Sequence, residues 1–218
     1  DLKQYLDLQP VGINLGHALY EMAIVDQKQK RPREASQRLE RLVNEVPDYP
    51  GMDKVLYELG WALRESGQDD QAVEQFRKLL SQYPDTSFAA DGAYFVAQKS
   101  YSEGDWSDAA KFFRLAAEKS DDDAISEKAL YRLGWSLFKD SKLDDAKEAF
   151  TRQADQYPSR KLAIDARMMV GECSFKEGKY EQALKSYQKG REKIRQSDEN
   201  SKTLRDKSER QVRELILL

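Results

Sequence analysis

The sequence predicts an all-α array of repeated helix pairs, and three observations predict it. The chain repeats with a period of 37 residues, five times over, without insertion or deletion. The register is marked by Ala35, Ala72, Ala109, Ala146 and Ala183. A bulky group follows each alanine after four residues (Leu39, Phe76, Phe113, Phe150, Tyr187), and a small one precedes it by twelve (Ala23, Gly60, Ala97, Gly134, Gly171). Within each period the apolar residues follow helical spacing. Glycine and proline recur at fixed offsets between the apolar stretches. A period of this length marks stacked helical pairs rather than one closed core.

Residues 53–84 show how each element is justified. Leu56, Leu59, Gly60 and Leu63 give the first helix one apolar face. Gly67 can take the left-handed conformation that ends a helix. Asp69 is placed to cap the second helix, whose apolar face is Ala72, Val73, Phe76, Leu79 and Leu80. Pro84 stops it. The turn glycine returns as Gly104 and Gly178, with Ser141 between them. The stop proline returns as Pro47 and Pro158, with Asp121 and Arg195 in the other two repeats. The small residues have a packing reason, because two helices approach closely only where side chains are short. The residue after each small one points about 100° away and is not expected to share that contact.

Charged residues make up 34% of the chain, above the roughly 25% of globular domains, as suits an array with much surface per residue. The net charge of -3, with the signs interspersed, argues against a nucleic-acid surface, which needs a basic patch to neutralise phosphates. The densest basic stretch, Lys28, Lys30, Arg31 and Arg33, reads as a solvated loop between helices. Cys173 is the single cysteine and His17 the single histidine, so neither a disulfide nor a His/Cys zinc site can form within the chain. No apolar run is long enough to span a membrane. Asp1 rather than Met opens the chain, the start expected of a cut piece or a mature form.

The sequence contains no nucleophile paired with a base and no glycine-rich phosphate loop, so no catalytic residue, cofactor or metal is expected. His17 reads as an exposed or half-buried helix residue, and Cys173 as a buried, inert thiol. Asp121, Asp122 and Asp123 read as a helix cap rather than a calcium loop, since EF-hand spacing is absent.

The succession leucine–glycine, glycine, alanine, aromatic, proline resembles the tetratricopeptide repeat. It is carried by Leu59-Gly60, Gly67, Ala72, Phe76 and Pro84, and by Leu133-Gly134, Ala146, Phe150 and Pro158. The family's usual tryptophan early in the first helix is replaced by Leu19, Leu56, Ala93, Leu130 and Arg167. The segments 79–98 and 153–172 are similar to a bacterial envelope subgroup, which includes the Tol-Pal-associated coordinator and the lipoprotein of the outer-membrane β-barrel assembly machine. The resemblance covers residues 16–200 and implies a right-handed α-solenoid that binds protein, in a periplasmic or envelope setting. Residues 1–10 then read as the tail of a preceding repeat, since Leu2 and Pro10 share the columns of Leu39 and Pro47. Residues 201–218 read as one more helix, either a cap or the first helix of a further repeat, whose apolar end could support self-association.

A second stripe runs along the first helices. Tyr20, Tyr57, Tyr94 and Tyr131 share one column, with Met168 in the fifth repeat. Trp61 and Trp135 lie four residues on, and Tyr101, Phe138 and Phe175 occupy the column three further. At 100° per residue these columns share a face roughly opposite the leucine–glycine stripe. In tetratricopeptide arrays the first helices line the concave side, so the resemblance implies a continuous groove for a peptide or helix, built from Tyr20, Tyr57, Trp61, Tyr94, Tyr101, Tyr131, Trp135, Phe138 and Phe175. Its charged rim includes Lys54, Glu65, Asp91, Lys128 and Lys139. The other reading of these aromatics is that they pack on neighbouring first helices and only build the wall. Repeats that grip the C-terminal carboxylate of heat-shock chaperones carry lysine in the tyrosine column and asparagine four residues later; this chain has neither. The sequence thus reads as a non-catalytic scaffold for a protein or peptide. The alternatives are a spacer acting through its ends and a regulatory domain of a larger enzyme.

Overall fold

The computed structural model of the chain describes residues 11–196, and the expectations for residues 1–10 and 201–218 lie outside that range. Among the described residues there are ten helices in sequential antiparallel pairs. They are α1 (Gly12–Lys28), α2 (Pro32–Glu45), α3 (Met52–Glu65), α4 (Asp69–Gln82), α5 (Ala89–Glu103), α6 (Trp106–Lys119), α7 (Asp123–Lys139), α8 (Leu143–Gln156), α9 (Leu162–Lys176) and α10 (Tyr180–Gln196). The second helices keep the register, starting at 32, 69, 106, 143 and 180. Four of them are 14 residues long, whereas α10 has 17. α2, α4 and α8 run into Pro47, Pro84 and Pro158 one residue past their C-caps; α6 ends at Lys119 without a proline, whereas α10, also without one, continues through position 195.

The turn inside each pair is the most regular feature. Lys30, Gly67, Gly104, Ser141 and Gly178 all have positive φ, between 57° and 82°. In the second repeat the amide of Gln68 donates to the Leu63 carbonyl at 2.9 Å, and that of Gly67 to Arg64 at 2.9 Å. The long closing bond recurs as Arg31 to Asp26, Asp105 to Ser100, Lys142 to Leu137 and Lys179 to Ser174. This left-handed closure satisfies the last carbonyls of one helix and aims the chain into the next. Asp69 does not cap α4; Gln68 holds that position without a side-chain bond. The left-handed turn already fixes the helix start, which displaces Asp69 to the first helical position. Side-chain caps occur where the carboxylate falls one residue earlier: Asp105 accepts from the Asp108 amide at 3.0 Å, and Asp122 from Ala124 at 2.7 Å.

The core follows the columns. All five marker alanines are fully buried, as are Leu39, Phe76, Phe113 and Phe150, and Tyr187 is 1% exposed. A methyl group on Gly60 would lie 2.6 Å from the Phe76 ring, on Gly134 2.6 Å from Phe150, and on Gly171 2.5 Å from Tyr187. The small residue therefore makes room for the aromatic of its own pair, whose ring is fully or almost fully buried.

The helices group into two compact units, divided between Val96 and Ala97 within α5. In the N-terminal unit α1 packs on α2, α2 on α3, and α3 on α4; in the C-terminal unit each helix from α6 to α10 packs on the next, and α7 also meets α9.

Candidate protein-binding face

The N-terminal unit holds Tyr20, Tyr57, Trp61 and Tyr94, all half-buried. Tyr57 is the best fixed. Its ring stacks on Phe88 at 4.4 Å between centroids, and its hydroxyl donates to Asp91 on α5 at 3.2 Å. Burial, followed by the nearby Asp91 charge, raises its phenol above the ordinary range. Trp61 packs edge-on against Phe76 at 5.4 Å and Phe95 at 5.8 Å, and the Arg64 guanidinium lies 5.0 Å over its ring. The Lys54 ammonium lies 5.4 Å over Tyr20.

The C-terminal unit holds Tyr101, Tyr131, Trp135, Phe138 and Phe175, again all half-buried. The Tyr131 hydroxyl donates to Asp165 on α9 in a short hydrogen bond, and burial with that bond pushes its phenol well above the usual range. Trp135 meets Phe138 at 5.7 Å and Phe150 at 6.1 Å. Tyr101 packs on Trp106 at 4.9 Å, with Arg132 at 5.4 Å over its face. Lys176 lies 4.4 Å over Phe138. Phe175 rests on the cluster of Met168, Ala183 and Tyr187.

Three expectations need correction. The aromatic stripe does not lie opposite the packing face. Tyr57 and Tyr131 reach the buried rings of Phe76 and Phe150, at 6.2 and 5.9 Å. Nor is the residue after each glycine excluded from the pair contact, because the indoles of Trp61 and Trp135 are long enough to lean on those same rings. Each buried phenylalanine is large enough to serve both stripes. Asp91 is part of the wall through Tyr57, rather than an open member of the charged rim. The expectation missed Phe88, Trp106 and the cations laid over the rings. Phe88 and Trp106 could have been found as aromatics flanking the first helices.

His17 is exposed, and its Nδ1 lies 3.0 Å from the Tyr49 hydroxyl. Cys173 is fully buried, and burial pushes its thiol up to about 12, far from a reactive thiolate. Among the described residues no cluster of His, Cys, Asp or Glu could hold a metal, and no helix is long and apolar enough to cross a membrane. Of the basic loop residues, Lys28, Lys30 and Arg33 are exposed, while Arg31 pairs with buried Asp26 at 2.5 Å. A hollow of about 350 Å³ bounded by α2, α3 and α4 is polar, lined by Glu40, Asn44, Gln71 and Glu74 among others.

Helix pairs in a fixed register, closed by left-handed turns and showing half-buried aromatics on their first helices, define a repeat-array protein. The profile of the tetratricopeptide repeat-like domain matches residues 24–210, and the chain belongs to that family. The fold is also that of solved repeat proteins. A MamA structure from strain AMB-1 superposes with a TM-score of 0.60 at 20% identity, covering 81% of this chain and 90% of that one. MamA 41-end from Desulfovibrio magneticus RS-1 gives 0.56 at 19% identity, covering 85% and 98%. A putative kinesin light chain with nearly identical TPR-like repeats from Podosopora anserina gives 0.53 at 13%, covering 84% and 97%. At these identities the likeness is one of fold. No curated protein matches the sequence.

Proposed function

We propose that this protein is a non-catalytic scaffold that holds a protein or peptide partner against the aromatic face of its first helices. The observation that carries this reading is the state of Trp61 and Trp135. Both are anchored on one side by buried phenylalanines and remain half-buried. A rigid aromatic held on one edge and open on the other is the usual anchor of an interface, and within either unit a segment laid along the first helices would use it as a groove. The setting we propose is a bacterial envelope assembly, supported by the likeness of segments 79–98 and 153–172 to that subgroup.

The test is the double substitution Trp61→Ala with Trp135→Ala. A partner is captured from source lysate, purified, and its affinity measured for both forms. The variant should keep its helicity and lose at least about tenfold in affinity, the scale of a hot-spot anchor. Its midpoint should fall too, because each half-buried indole also packs on the core; about half of the roughly 3–5 kcal/mol of a fully buried ring is expected per site. A folded double variant with unchanged partner affinity would remove the face from consideration.

A further inference from the structure

We propose that the aromatic face of the C-terminal unit selects an acidic partner segment; the inference rests on the scaffold reading and names its partner class. On α7, Lys128, Arg132, Trp135 and Lys139 fall at helical spacing on one side, with the three cations exposed and Trp135 half-buried. No carboxylate interrupts them. From α9 the exposed Lys176 joins them over the Phe138 ring, and Arg132 itself lies over Tyr101. The equivalent columns of α3 carry Lys54, Glu58, Trp61 and Glu65, so the purely basic run belongs to α7.

The carboxylates near this stripe are engaged elsewhere. Asp165 accepts from Tyr131, and Glu172 accepts from the Tyr187 hydroxyl at 2.9 Å. Glu177 is paired with Lys147 and Lys179, both at 3.2 Å, and Asp140 with Lys142 at 2.7 Å. Among the described residues, Lys128, Arg132, Lys139 and Lys176 make no ion pair with a carboxylate. A cation resting on an aromatic face keeps its outer side open to an anion, and a guanidinium offers a carboxylate two parallel bonds.

From Lys128 to Lys139 the stripe runs about 16 Å along the helix. An extended segment of about five residues spans that length. It would set carboxylates on the cations at both ends and an apolar side chain on Trp135 and Phe138 between them. The Asp165 and Glu172 carboxylates on α9 disfavour a continuous polyanion, so spaced acidic side chains fit better than a nucleic acid.

The test is selection of a displayed library of random peptides on the full chain and on the variant Arg132→Glu with Lys139→Glu, beside a random single-stranded oligonucleotide pool. The wild-type chain should enrich Asp and Glu over Lys and Arg around an apolar residue. The variant should lose that enrichment and bind each selected peptide at least about tenfold more weakly, the effect of removing paired interface charges. Its melting temperature should fall only slightly, since both side chains are exposed and the contact of Arg132 with the Tyr101 ring is the one packing interaction removed. Selected peptides that need Trp135 yet show no acidic bias would overturn this inference and leave the scaffold reading standing. Preferential capture of the oligonucleotides would also overturn it. Recovery of no peptide that depends on Trp61 or Trp135 would remove the scaffold reading itself.

Discussion

Gln153 lies fully buried on α8, with neither the nitrogen Nε2 nor the oxygen Oε1 of its side-chain amide hydrogen-bonded. Its column in the other repeats is Leu42, Leu79, Ala116 and Gly190, none with a polar side chain. A buried amide without partners costs more than an apolar group of the same size. Gln153→Leu should therefore raise the unfolding free energy by about 1–2 kcal/mol, measured as a higher urea midpoint at unchanged slope; a lower midpoint would mean that an internal water satisfies the amide. At this scale the core was legible in the sequence, because Ala72, Phe76 and Gly60 repeat as columns and a column records one packing environment. The polar wiring was not. The bonds from Tyr57 to Asp91 and from Tyr131 to Asp165 join residues 34 apart in the first helices of successive pairs. They depend on how far a side chain reaches, which periodicity does not encode.

The turn between paired helices is the element on which the register depends. Five residues in one column adopt positive φ, but only three are glycine; Lys30 sits at 57° and Ser141 at 61°. A side chain in that region crowds the following carbonyl and strains the backbone. The same closing bonds form regardless, 2.9 Å from Arg31 to Asp26 and 2.9 Å from Lys142 to Leu137, so the glycine form of the turn would be reached with less strain. Ser141→Gly should stabilise the chain by about 0.5–1 kcal/mol, the relief being partly offset by the larger freedom of glycine in the unfolded chain. A thermal melt decides it; a lower midpoint would show that Ser141 makes a favourable contact that outweighs its conformation. Gly67, Gly104 and Gly178 announced this turn in the sequence, and Ser141 was found through its column. Lys30 was read only as part of a charged loop, because no residue type there signals left-handed backbone.

For the whole molecule, the repeat architecture decides how far damage travels. Each helix packs mainly on its neighbours in sequence within its unit, so stability is close to a sum of repeat terms and nearest-neighbour terms. The five-fold period made this legible, and the match of the tetratricopeptide repeat-like profile over residues 24–210 agrees with it. Gly134→Ala tests the consequence. The new methyl would lie 2.6 Å from the Phe150 ring, a ring with no exposed side to move toward. Overpacking of this kind costs about 1–3 kcal/mol. In a closed single core that loss would be shared by every element. Here the amides of α7, α8 and α9 should exchange hydrogen faster by the full factor, about five- to a hundredfold, while those of α1, α2 and α3 change far less. Hydrogen exchange read by mass spectrometry separates the two behaviours. A uniform increase from α1 to α10 would mean that the chain unfolds as one cooperative body, and that its repeats do not act as separable units.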